Sequence, residues 1–105
     1  MTSTRKRPDP LPPDALTATI RQCISEGAVV PFPHFRGRAF QRRFTLQDAI
    51  NVLQHGAVAS EAPQWDEKSG MWTYLIHGPD LEGDILTVVI RVSSIRGQIW
   101  LVTAY

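Results

Sequence analysis

One short stretch of the chain combines residue types that bind anions and transfer protons. A helix is predicted to begin at Pro33, and from there to Gly56 the chain carries His34, Arg38 and Arg42 at a spacing of four residues. That spacing places the three side chains along one side of a helix. Histidine transfers protons near neutral pH, and the planar guanidinium of arginine donates two hydrogen bonds to a phosphate at once. The pattern therefore favours an anionic ligand, and RNA is the leading hypothesis.

Cleavage of RNA without a metal ion needs only a few groups. A base takes the proton of the 2′-OH, an acid protonates the leaving oxygen, and cations stabilise the charged phosphorane. His34 is the predicted proton-transfer group, and Arg38 and Arg42 are predicted to hold the scissile phosphate. Arg36 and Arg43 are candidate RNA-binding residues in the same segment. The alternative for this segment is a solvated basic helix face without a catalytic role.

Two further candidates lie in the second half of the chain. His77 is predicted at the end of a strand beside a Gly-Pro turn, a position that suits a catalytic histidine. A hydrogen bond that orders the turn is the alternative for His77. Tyr105 either reaches the site with its hydroxyl or packs its ring on an edge strand. One of these two residues is the predicted second proton-transfer group.

Three helices are predicted in the first half of the chain from an apolar period near 3.6 residues. The first runs over residues 14–26 and is capped by Asp14, and the third runs over residues 46–55. Thr45 and Asp48 resemble a capping box at the start of the third helix. The second helix lies between them, and its buried stripe is predicted to comprise Phe32, Phe35, Ala39, Phe40 and Phe44.

After Gly56 the apolar period changes to about two residues, which predicts strands. Four strands are predicted, over residues 57–60, 72–77, 85–93 and 98–105. The 85–93 strand has apolar residues on both faces, so it is predicted in the interior of the sheet. Helices followed by an antiparallel meander indicate an α+β fold. In this fold two or three N-terminal helices pack on a four-stranded, mostly antiparallel sheet.

Length and charge limit the classes of function. The 105 residues are sufficient for one domain over residues 14–105, preceded by a flexible, basic, Pro-rich tail over residues 1–13. The net charge is only +1, but residues 1–47 carry a net +5 and residues 48–84 a net −6. The chain is therefore not a uniformly basic nucleic-acid coat. The charge separation favours an alternative function, a non-catalytic interaction module that binds a protein partner or a second copy of the chain.

Other sequence features argue against several classes of site. Cys23 is the only cysteine, so neither an internal disulfide nor a thiolate zinc site is predicted, and its apolar neighbours predict a buried thiol. Walker, Rossmann and HExxH motifs are absent, and no cofactor is predicted. The first ten residues lack the apolar core of a signal peptide, and the longest apolar strand is too short to span a bilayer. The predicted location is cytoplasmic, with no membrane partner.

The order of these motifs resembles a family of small bacterial proteins catalogued as a domain of unknown function. The matching features are a His-x3-Arg-x3-Arg helix, a Thr-capped helix that ends in Gly, a His-Gly strand end, a Gly-containing turn, an apolar strand and a Thr-x-Tyr ending. Together they cover residues 28–105. They lie at His34–Arg42, Thr45–Gly56, His77–Gly78, Gly83, Leu86–Val92 and Thr103–Tyr105.

This resemblance implies a function as well as a fold. Members of that family resemble RelE-type and MqsR-type toxins, which are small α+β ribonucleases that cleave messenger RNA without a metal ion. The resemblance therefore implies a RelE-like fold and a toxin-like endoribonuclease that acts on single-stranded RNA. It also implies an antitoxin-like partner protein with a zinc-finger domain. The first helix and the Pro-rich tail lie outside the matching pattern.

Overall fold

The computed structural model describes residues 7–105 and contains helices and strands in an α+β arrangement, as predicted. The three helices are α1 (Pro13–Ser25), α2 (Pro33–Arg42) and α3 (Leu46–His55). The strands are β1 (Val29–Pro31), β2 (Ala57–Val58), β3 (Gln64–Asp66), β4 (Met71–Pro79), β5 (Ile85–Ser93) and β6 (Gln98–Ala104).

The described residues form a sheet of six strands rather than the predicted four. The strand order is β1-β6-β5-β4-β2, and β3 also pairs with β4. β1 pairs with β6 in parallel, whereas the other pairs are antiparallel, so the sheet is mixed. β5 lies in the interior, as predicted for residues 85–93. The two additional strands, β1 and β3, have only three residues each, which is too short for an alternating pattern to appear in the sequence.

The hydrophobic core lies between the helices and one face of the sheet. Every buried side chain of the three helices belongs to one cluster with alternate residues of β4, β5 and β6. Cys23 is buried in this cluster, as predicted, and burial raises the pKa of its thiol. We call the opposite face, which no described helix covers, the open face. It carries Thr73, Leu75, His77, Thr87, Val89, Arg91 and Tyr105.

Residues 7–12, the described part of the predicted tail, lie against strand β4. The indole Nε1–H of Trp72 donates to the carbonyl of Pro8 (2.7 Å). The backbone N–H of Leu11 donates to the hydroxyl of Tyr74 (2.9 Å). These two hydrogen bonds attach the segment to the sheet, and the rest of the predicted tail lies outside the described residues.

Proline and threonine determine where the helices begin. At α1 the N-cap position is occupied by Pro12, so the predicted cap at Asp14 is wrong, and Asp14 lies in the first helical turn instead. At α3 the predicted capping box is confirmed. Thr45 Oγ1 accepts from the Asp48 N–H (3.1 Å), and the Thr45 N–H donates to Asp48 Oδ2 (2.8 Å).

Asp48 has a second role that the sequence does not show. Its Oδ1 accepts the backbone N–H of Leu81 (3.0 Å), which ties the start of α3 to the turn between β4 and β5. The hydrogen bonds from Leu81 and then Thr45 lower the pKa of Asp48 below its ordinary value. The charged carboxylate is therefore the form that stabilises the fold.

Replacing Asp48 with alanine is expected to lower the free energy of unfolding by about 1–2 kcal/mol at pH 7. The pKa is lower in the folded state than in the unfolded state, where it is about 3.9. The stabilisation is therefore present above that value and is lost as the pH falls through the folded-state pKa. Urea unfolding of both proteins at pH 7 and pH 3 measures this. Asp14→Ala, at an exposed position in the first turn of α1, is the control. A difference from wild type that stays constant with pH would contradict the assignment.

Candidate functional site

The packing of helix α2 on the core fixes the direction in which the predicted histidine and arginines project. Phe35 is only 1% exposed and packs edge-on against Phe44, with ring centroids 5.5 Å apart. This contact fixes which side of α2 faces the core. His34 and Arg42 are exposed, and Arg38 between them is half-buried. The spacing of four therefore gives a stripe that flanks the buried side of the helix.

The predicted buried stripe of α2 needs one correction. Phe40 is 89% exposed, although it was assigned to the apolar stripe with Phe35 and Ala39. A helix advances about 100° per residue, so Phe40 points well away from the direction of Phe35. The outer surface of α2 therefore carries a large exposed aromatic ring beside its basic residues.

Arg38 has a donor that no described residue uses. Its Nε is buried and has no hydrogen-bond partner within residues 7–105. A buried polar atom without a partner is uncommon in folded proteins and calls for a specific explanation. Arg38 is thus the predicted site residue of α2 whose guanidinium is partly enclosed by the fold.

On the open face, three residues from neighbouring strands form a row. His77 on β4 is the register partner of Thr87 on β5. The backbone of Thr87 exchanges two hydrogen bonds with Tyr105, of 2.8 and 2.9 Å, where β6 ends. Residues paired in this way project their side chains from the same face of a sheet. The fold therefore places two of the predicted site residues, His77 and Tyr105, on either side of Thr87.

The imidazole of His77 is held from both sides. Its Nδ1 lies 2.7 Å from Thr87 Oγ1, and its Nε2 lies 3.3 Å from Glu61 Oε2. A carboxylate only accepts, so the contact with Glu61 requires a proton on Nε2. The hydroxyl of Thr87 either donates or accepts, so it supports both tautomers of the ring. His77 is thus fixed in orientation and remains able to exchange a proton.

Glu61 and Thr87 are site residues that sequence reasoning missed. Glu61 lies in the loop between β2 and β3, which is held to β4 by a hydrogen bond from the Ala59 N–H to the Leu75 carbonyl (2.9 Å). Nothing in the local pattern marks this glutamate, because its partner lies 16 residues away. Thr87 is buried within an apolar strand, and only the strand register reveals that it faces His77.

A cavity of about 330 Å³ opens on the open face next to this row. We call it the base cavity. Its lining combines apolar, aromatic and polar side chains. The lining residues are Glu61, Ala62, Gln64, Thr73, Leu75, Val89 and Tyr105.

A second cavity of about 380 Å³ shares Tyr105 with the first. It joins the end of α2 to the acidic turn before β5. Its charged lining residues are Arg42, Arg43, Asp48, Asp80, Glu82 and Asp84. Two arginines and four carboxylates leave this cavity with an excess of negative charge, so it does not attract a phosphate as a whole. The two basic residues at the end of α2 and the acidic turn, which lie far apart in the sequence, are thus neighbours in the fold.

The fold brings some predicted site residues together and leaves others apart. Arg42, Arg43 and Tyr105 share the second cavity, and Tyr105 also lines the base cavity beside the His77 partner Glu61. Neither cavity is lined by the other predicted residues of α2, His34, Arg36 and Arg38. Within residues 7–105, no group of three or more His, Cys, Asp or Glu side chains is arranged to hold a metal ion. None of the helices in that part of the chain has the length and hydropathy to cross a bilayer.

Comparison with protein families gives one match. A family model described as a domain of unknown function, DUF4258, matches residues 33–105. This match begins at the first residue of α2 and includes every predicted site residue. Comparisons with the curated proteins and with the solved structures give no significant match.

Proposed function

The chain belongs to the DUF4258 family, a domain of unknown function, and we propose that it is a metal-independent endoribonuclease that acts on single-stranded RNA. The observation that carries the proposal is the fixed imidazole of His77, held between Thr87 and Glu61 on the sheet face that no described helix covers. A base oriented by hydrogen bonds to its second nitrogen is the arrangement that proton abstraction needs. An open sheet face is also a common platform for single-stranded RNA.

In this proposal His77 takes the proton of the 2′-OH at Nε2. This step uses the tautomer in which Nδ1–H donates to Thr87 Oγ1. Nε2 then carries no proton, so its hydrogen bond to Glu61 is absent and the 2′-OH takes that position. The 2′ oxygen then attacks the phosphorus, a 2′,3′-cyclic phosphate forms, and the 5′ oxygen leaves with a proton from a second group. Glu61 stabilises the imidazolium produced through its negative charge, because its Oε2 lies 3.3 Å from Nε2. Tyr105, on the other side of Thr87 in the same row, is the proposed donor to the leaving oxygen.

The arginines are proposed to stabilise the negative charge on the phosphorane. Arg38 is the first choice because, unlike Arg42 and Arg43, it does not line the acidic second cavity, and a planar guanidinium suits two phosphate oxygens. Arg36 is exposed on α2 and contributes attraction at longer range. Arg42 and Arg43 contribute less, because carboxylates line the same cavity.

Cleavage is tested with a single-stranded RNA incubated in EDTA. Wild type is expected to produce fragments that end in a 2′,3′-cyclic phosphate. Arg38→Ala is expected to lower both the affinity for RNA and the cleavage rate. A plot of log binding constant against log salt concentration should also have a slope shallower by about 0.7, the value for one lost phosphate contact on a single strand. Arg21→Ala, at an exposed position on α1, is the matched control. The assignment is wrong if wild type does not cleave, or if the two variants behave alike.

A second candidate is the non-catalytic interaction module, which the exposed ring of Phe40 favours. Large apolar side chains that point into solvent are typical of partner-binding surfaces when they cluster. The partner in this reading is an antitoxin-like protein with a zinc-finger domain or a second copy of the chain. Light scattering at low and high salt, with wild type and Phe40→Ser, distinguishes self-association through this surface from the ribonuclease proposal.

A further inference from the structure

The base cavity has the composition of a site for a flat, partly polar ring. Leu75 and Val89 supply apolar surface from neighbouring strands, and Tyr105 supplies an aromatic ring that is 55% exposed. Glu61 and Gln64 are exposed and add a carboxylate and an amide to the hydroxyls of Thr73 and Tyr105. Nucleobases in single strands are commonly bound by stacking on an aromatic ring and by hydrogen bonds to the base edge.

The carboxylate of Glu61 matches the Watson–Crick edges of the four bases to different degrees. A carboxylate accepts hydrogen bonds and donates none. The Watson–Crick edge of guanine offers two adjacent donors, N1–H and the N2 amino group. Adenine and cytosine place an acceptor nitrogen beside a single amino donor, and uracil flanks its one N3–H with two carbonyls. Guanine is therefore the base whose edge matches this side chain without an unpaired acceptor.

We infer that the base cavity is a guanine-binding subsite, in which the ring stacks on Tyr105 and its Watson–Crick edge donates to Glu61. Glu61 is 56% exposed at its side chain. It retains acceptor capacity, because two carboxylate oxygens offer about four lone-pair sites and His77 occupies one of them. This inference deepens the proposed ribonuclease, on which it rests for the RNA ligand, by naming the base that the site selects.

The test is binding of GMP, AMP, CMP and UMP to the full chain, followed by backbone amide shifts in NMR. GMP is expected to bind roughly tenfold to a hundredfold more tightly than the other three, the range expected of a bidentate base contact. The shifts should map to residues 61–64, to β4 and β5 around Leu75 and Val89, and to Tyr105. Glu61→Gln replaces one acceptor oxygen with a donor and should remove the preference for GMP.

Two further variants separate filling of the cavity from loss of the fold. Ala62→Leu adds bulk to an exposed lining residue and should weaken binding of all four mononucleotides. Ala18→Leu makes the same change on the exposed side of α1 and should leave GMP binding at the wild-type level. Matching amide spectra for the two variants would show that the fold is retained.

The outcomes distinguish this inference from the proposed function. Equal binding of all four mononucleotides, no saturable GMP binding at millimolar concentration, or shifts confined to α2 would each overturn the guanine subsite. If wild type cleaves RNA and any of these results is obtained, the guanine subsite is wrong but the proposed ribonuclease function is supported. Selective GMP binding without RNA cleavage would support the subsite and contradict the ribonuclease.

Discussion

His77→Ala is expected to slow the cleavage of single-stranded RNA by about a hundredfold or more, the usual contribution of a positioned proton-transfer group. His77 is the histidine whose two ring nitrogens both contact side chains, at 2.7 Å to Thr87 and 3.3 Å to Glu61. Its loss removes the base and leaves RNA binding through the arginines in place. The rate under single-turnover conditions should therefore fall far more than the affinity for RNA, measured separately by fluorescence anisotropy.

His55→Ala is the matched control for this experiment. His55 is exposed at the last position of α3 and lines a different cavity, beside α1 residues such as Arg21, so its removal should leave the cleavage rate near wild type. Thr87→Val keeps the shape of the buried side chain but removes the hydroxyl that holds Nδ1. It should slow cleavage by less than His77→Ala, because the base remains and only its orientation is lost. An undiminished rate for His77→Ala would remove His77 from the mechanism.

Much of the fold could be predicted because single residues mark where helices begin and end. The bounds of α3 match the prediction because Thr45 and Asp48 form a capping box, which is a signal local to the sequence. Pro33 marks the start of α2 in the same way. The length and apolar character of residues 85–93 predict β5 and its interior position. Each of these features depends on residues within one helix or strand.

The two strands that were not predicted depend on distant partners. Val29–Pro31 becomes a strand because it pairs in parallel with β6, some 70 residues later. Gln64–Asp66 becomes one because it pairs with Met71–Thr73 across a turn. Three residues are too few to show an alternating period, so only the tertiary pairing distinguishes them from loop.

The candidate site also contains residues that are recognisable from the local sequence and residues that depend on distant partners. His34, Arg38, Arg42 and His77 are predicted from residue type and from helix spacing or strand position, which are visible in the sequence. Glu61 and Thr87 were not found because their relation to His77 is set by strand register and by the path of a loop. The sequence also does not show that the end of α2 and the acidic turn line one cavity, because the two segments lie about 40 residues apart.

Gly78→Ala is expected to lower the free energy of unfolding by about 3 kcal/mol or more, the upper range for adding bulk to a packed interior. Gly78 on β4 lies directly against Gly56 at the end of α3. A Cβ at position 78 would lie 2.6 Å from the Cα of Gly56 and 3.2 Å from the carbonyl oxygen of Val52. These are backbone atoms, so relief requires α3 to move away from the sheet rather than a side chain to rotate.

Gly56 needs glycine for the same reason and not for its backbone angles. Its φ of −84° is open to any residue, but a Cβ there would collide with the carbonyl of His77 and lie 2.5 Å from that of Val52. Gly37→Ala is the matched control, because a Cβ at that exposed helical position meets no atom within 4 Å of the described structure. It should raise the free energy of unfolding by about 0.5–1 kcal/mol through helix propensity. Urea unfolding of both variants measures the contrast, and a Gly78→Ala protein as stable as wild type would mean that α3 does not pack on β4 at this distance.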